Sequence, residues 1–73
     1  MTETLKHSVL LSGHRTSVSL ENVFWEKLKE ICVQHGKSIN QQITEIDNER
    51  AEGSNQNLSS AVRVYILEQM NKN

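Results

Sequence analysis

This sequence predicts a mostly helical fold with one short N-terminal strand, completed by a second copy of the chain, and three observations carry that expectation. His14-Arg15-Thr16-Ser17-Val18-Ser19-Leu20-Glu21 alternates with a period of two, as a half-buried strand does: Thr16, Val18 and Leu20 fall on one side and Arg15, Ser17 and Ser19 on the other. From Asn22 the apolar period becomes helical, so the strand has no local mate on its C-terminal side. The chain has 73 residues, 36% of them hydrophobic, and one cysteine. A chain near this size hides only roughly 60% of its unfolded surface, and no disulfide framework is available to add stability. The simplest mate is the same strand of another copy. The product is an intermolecular two-stranded antiparallel ribbon with one apolar face and one arginine-bearing face, a shape that fits the DNA major groove.

Each element then follows in order. Met1 to Lys6 lacks periodicity and reads as a loose arm. Residues 1–12 form either such an arm or an extra strand. In the strand case Val9-Leu10-Leu11 leads through a Gly13-His14 turn into Arg15 and adds outer strands to the ribbon; in the arm case Lys6 and His7 are free to follow a phosphate backbone. Residues 13–73 form the main domain. Phe24, Leu28, Ile31, Cys32 and His35 share one helical stripe, with Glu21 and Asn22 at its start and Gly36 at its end, which predicts a first helix over 22–35. Ser38-Ile39-Asn40-Gln41 has the capping-box form and opens a second helix with Ile39, Ile43 and Ile46 inward. Arg50 to Asn57 reads as a loop. Leu58, Ala61, Val62, Tyr65, Ile66 and Met70 predict a third helix over 58–71, capped by Asn57 or Ser59. The β-branched run Val62 to Ile66 also suits a strand, but Ala61 and Glu68-Gln69-Met70 favour helix. Val18, Leu20, Phe24, Trp25, Leu28, Ile31, Ile43, Ile46, Val62, Tyr65 and Ile66 are the expected dimer core.

Composition narrows the function classes. The formal net charge is −1, which argues against a polyanion partner, but its distribution is uneven. Lys6, Arg15, His7 and His14 precede residue 21, whereas Glu21, Glu26, Glu30, Glu45, Asp47, Glu49 and Glu52 outnumber the bases after it. No apolar run is long enough for a membrane span or a signal segment, and a single cysteine suits a reducing, cytoplasmic setting. Glu45, Asp47 and Glu49 have no nucleophile or metal cage beside them and read as a solvated face rather than catalytic acids. No enzyme activity and no cofactor is expected. Cys32 and His35 lie one helical turn apart, and His7 and His14 would be needed to complete a zinc site. Cys32 instead suits a small buried hydrophobe, so no metal is expected.

The candidate DNA-contacting residues follow from the strand and from the start of the second helix. Arg15 carries a planar fork that can donate twice to guanine; the plainer role is a solvated edge-strand arginine. Ser17 and Ser19 bond bases or phosphates, or simply keep a strand face wet. His14, Lys37, Ser38 and Ile39 are the phosphate candidates, because a helix N-terminus offers free N–H groups and a positive dipole end. Ordinary capping uses Ser38 in the same way. Trp25 suits a helix-flank or interface anchor better than a base-stacking platform.

The order strand, helix, Gly-Lys-Ser turn, helix resembles the ribbon-helix-helix DNA-binding family. The residues that carry the likeness are Gly13 to Glu21, Phe24-Trp25, Leu28, Ile31, Gly36, Ser38-Ile39-Asn40, Ile43, Glu45-Ile46-Asp47 and Asn57 to Tyr65, within roughly residues 8–68. The resemblance implies an intertwined homodimer with paired strands in the major groove, second-helix N-termini on phosphates, and transcriptional repression in a bacterial cell. It also implies Arg15, Ser17 and Ser19 as the base-facing residues, although Ser19 stands where many members look to place a longer or basic side chain. The partners expected are therefore double-stranded DNA and a second copy. The alternative is an interaction or antitoxin-like module of the same fold, working through residues 50–57 and the third helix with little DNA affinity.

Overall fold

The strand expected at 14–21 pairs with the residues just before it. In a computed structural model, which describes residues 3–11, 13–50 and 57–72, β1 (Thr4–Leu11) and β2 (His14–Glu21) form an antiparallel hairpin running from Leu11 opposite His14 to Thr4 opposite Glu21. His14 is already paired and so belongs to β2 rather than to a Gly13-His14 turn, and Gly13 takes the positive φ of 82° that a tight hairpin turn demands. Thr4 to Lys6, expected in a loose arm, belong to β1. The cause is a second alternating set, Leu5, His7, Val9 and Leu11, which meets Leu20, Val18, Thr16 and His14 across the ladder.

This pairing supplies the extra strand, and the hairpin lies within a single copy. One edge of β2 is taken by β1 of the same chain, so a two-stranded ribbon forms within one copy. The outer edges are met by side chains. On β2 the Ser19 N–H donates to Ser59 Oγ at 3.0 Å, and Arg63 Nη2 donates to the Ser19 carbonyl at 3.3 Å. On β1 the Leu10 N–H donates to Asn40 Oδ1 at 3.2 Å. Ladder groups at these points are satisfied without a further strand, which blunts the edges against pairing.

Three helices cover the inner face of the ribbon. α1 (Asn22–His35) ends at Gly36, whose φ of 66° permits the Gly36 N–H to reach Val33 O and the Lys37 N–H to reach Cys32 O, a Schellman closure. α2 (Ile39–Glu49) starts where Ser38 Oγ accepts from the Gln41 N–H at 3.1 Å. α3 (Leu58–Met70) starts where Asn57 Oδ1 accepts from the Ser60 N–H at 2.8 Å, and ends one residue short of the expected boundary. Helix prevails at 62–66 because Val62 and Ile66, one turn apart, both face the core. Of the loop expected between the second and third helices, residues 51–56 lie outside those described.

Val18, Leu20, Leu28, Ile43, Val62 and Ile66 are fully buried, joined by Val9, Leu11, Ile31, Cys32, Ile46 and Ala61. Phe24, Trp25 and Tyr65 pack against this cluster half-buried. Of the residues expected in a dimer core, Val18, Leu20, Leu28, Ile31, Ile43, Ile46, Val62 and Ile66 are buried within the single chain, and Phe24, Trp25 and Tyr65 are half-buried. Among the described residues no helix is long and apolar enough to cross a membrane.

Candidate nucleic-acid interface

With its inner face against the helices, the hairpin turns the other set of alternating residues outward. On β2 these are Arg15 and Ser17, both exposed, and Ser19, half-buried under the edge contact with α3. The three base-facing candidates therefore share one face. Register adds residues that sequence reasoning did not place there: Lys6 stands opposite Ser19, Ser8 opposite Ser17 and Leu10 opposite Arg15, all three exposed. The signal was available in the period of β1, where Leu5, His7, Val9 and Leu11 alternate with Lys6, Ser8 and Leu10.

Alternation sends the histidines of the hairpin the other way. His14 follows the face of Thr16 and Val18 and lines a shallow groove with Leu11, Asp47, Arg50 and Leu58, away from the outward side chain of Arg15. His7, read as a residue free to follow a phosphate backbone if the arm were irregular, is stacked on Trp25 with ring centroids 3.7 Å apart and planes within 4°. Its Nε2 is buried without a hydrogen-bond partner among the described residues. Trp25 is a packing anchor between α1 and β1, and its ring face is occupied.

The start of α2 sits beside the ribbon because Asn40, in its first turn, holds the backbone of Leu10. Ser38 and Ile39 are therefore next to the β1 edge near the turn. Lys37 precedes them, but its Nζ lies 2.6 Å from Glu45 Oε1, and that hydrogen bond holds the ammonium pKa above its usual value. The ion pair is partly exposed, with side-chain exposures of 30% and 41%, so water and any approaching anion compete for it. The start of α3 borders the opposite edge, where Ser59 holds Ser19. A helix N-terminus thus stands against each edge of the ribbon.

Glu21 closes the base of the hairpin. Its carboxylate accepts from its own backbone N–H and from Arg63 Nε at 3.0 Å, and both interactions hold its pKa below the usual glutamate range. Arg63 is thereby committed to Glu21 and Ser19. Behind the ribbon, His35 Nδ1 lies 3.4 Å from both Gln42 Oε1 and Tyr65 Oη. Burial raises the Cys32 thiol pKa and the Tyr65 phenol pKa. Cys32 is held in the core, and among the described residues no group of three or more His, Cys, Asp or Glu is placed to hold a metal ion.

A two-stranded ribbon with a cationic, hydroxyl-rich outer face, flanked by helix N-termini, can place donors in a groove while its edges face the bordering phosphates. Comparison with known proteins gives one finding: the family model described as a ribbon-helix-helix domain matches residues 4–70. No curated protein and no solved structure matches the chain.

Proposed function

Since the chain belongs to the ribbon-helix-helix family across nearly its whole length, we propose that it binds double-stranded DNA as a transcriptional regulator, repressing by occupying the major groove. One observation carries the reading: Arg15, Ser17 and Ser19 share the outward face of the hairpin, and the start of α2 stands beside its edge. Arg15 donates to guanine, the serines bond base edges or phosphates, and the N–H groups at Ser38 and Ile39 take a flanking phosphate. His14 contributes at the turn, on the helix side. Two copies act together on one site, as the family resemblance implies for a homodimer.

Mobility-shift titration against random-sequence and selected duplexes at low and physiological salt tests the proposal. A sequence-selected complex is expected, with a log-log salt slope of roughly −0.9 for each phosphate neutralised. Smearing that salt erases, without sequence preference, would overturn it. Lys37 has its own test. Glu45→Gln removes the competing carboxylate and is expected to tighten binding about twofold to fivefold in low salt, in line with the small worth of exposed ion pairs; unchanged affinity would remove Lys37 from the interface.

A second reading, a protein-interaction module, is favoured by the outer side of α3, where Val64, Leu67 and Met70 are 46%, 56% and 50% exposed. The net charge of −1 supports it as well. The same titration separates the two readings.

A further inference from the structure

The outward face of the ribbon carries two unlike rows of side chains, because both strands come from one chain. One row reads Lys6, Ser8, Leu10 and the other Ser19, Ser17, Arg15, paired directly across the ladder in that order. Two copies of a single strand related by a two-fold axis would present the same residues in both rows. Here the two rows differ, so the face has a direction.

Leu10 is the aliphatic member of that face. It is 50% exposed beside lysine, arginine and serines, while Val9 and Leu11 on either side of it are buried. Its backbone is pinned to Asn40 of α2, so its position relative to the helix start is set. It stands opposite Arg15, and residues directly opposite in an antiparallel pair have Cβ atoms about 5 Å apart. That lies between one and two of the ~3.4 Å steps between stacked bases, so the two side chains reach neighbouring positions in a groove. The major groove offers one apolar feature, the 5-methyl group of thymine.

We propose that Leu10 is a specificity-determining residue that packs on the methyl group of a thymine next to the guanine bonded by Arg15, so that each chain reads a directional step. The inference rests on the DNA-binding function proposed above. Lys6, at the far end of the same row, lies over the backbone or the adjacent base edge and completes the asymmetry.

Selection from a random duplex pool with the wild-type protein, followed by replacement of the selected thymine with deoxyuridine, is the test. The wild type is expected to enrich a thymine beside the guanine whose loss mimics Arg15→Ala. Removal of the methyl group is expected to weaken binding about fourfold, near the worth of burying one methyl group. Leu10→Ala is expected to select guanine without the neighbouring thymine and to be indifferent to deoxyuridine. Because the methyl group is deleted on the DNA, the test does not depend on how well the variant folds. Enrichment of the same site by wild type and Leu10→Ala, or equal wild-type affinity for thymine and deoxyuridine, would overturn the role of Leu10 while leaving DNA binding intact. Failure to enrich any duplex would overturn the DNA-binding function and this inference together.

Discussion

Leu28→Ala is expected to lower the melting temperature by at least about 10 °C. Leu28 lies in the middle of α1 with no exposed surface, in a cluster shared with the hairpin and the other two helices. Truncating a buried leucine costs about 2–5 kcal/mol through lost transfer energy and the cavity left behind. Domains are stable by only about 5–15 kcal/mol, short chains at the lower end, and each kcal/mol moves the midpoint of a domain this size by about 4–8 °C. Val33→Ala, at a position 80% exposed on the same helix, is the control and is expected to change stability by less than about 0.5 kcal/mol. A dilution series of the wild type adds a second reading of the same core. If the chain stays a lone copy when folded, the midpoint is independent of protein concentration. If a second copy joins it, association makes the midpoint rise with concentration. Thermal melts by circular dichroism measure both, and a concentration-dependent midpoint would show that a second copy is bound in the folded state.

The elements legible in the sequence are those whose signals are local. Gly36, Ser38 and Asn57 mark helix boundaries through bonds that reach no further than a few residues, and α1 and the starts of α2 and α3 fall where those residues put them. β1 was harder to read for two reasons. His7 interrupts its apolar row, and Leu10 places an aliphatic side chain on the wet row, so Val9-Leu10-Leu11 looks like a run rather than an alternation. The stack on Trp25, which makes His7 suitable for the inner face, joins residues that no local pattern connects. The ribbon face shows the same division. The outward placement of Arg15, Ser17 and Ser19 follows from period alone. The presence of Lys6, Ser8 and Leu10 beside them depends on register, which only the finished hairpin supplies. His7 and His14 share a basic N-terminal segment with Arg15, but alternation puts them on the other side of the sheet. The Lys37–Glu45 pair links the residue before the cap of α2 to its second turn, so whether the lysine is committed is equally invisible in the chain order.

Arg15→Ala is expected to weaken binding to a selected duplex at least tenfold while lowering affinity for random duplex much less. Arg15 is exposed on the ribbon face, opposite Leu10, and the described residues supply it with no ion-pair partner, so its guanidinium needs no internal contact to be broken before it meets DNA. A bidentate arginine–guanine contact contributes about 1–3 kcal/mol of discrimination against the wrong base, a factor of roughly 5 to 150 in affinity. A phosphate contact would instead lower affinity for all sequences alike and reduce the salt slope by about one unit. Arg15→Lys separates the two roles. It keeps the charge and the salt slope but lacks the planar fork, so it is expected to restore random-duplex affinity without restoring discrimination. Lys29→Ala is the matched control, because Lys29 projects from α1 in an exposed pair with Glu26, away from the ribbon face. Fluorescence anisotropy at fixed salt measures all three variants. Equal losses on selected and random duplexes would reassign Arg15 to the backbone, and full recovery of discrimination by Arg15→Lys would show that its charge alone does the reading.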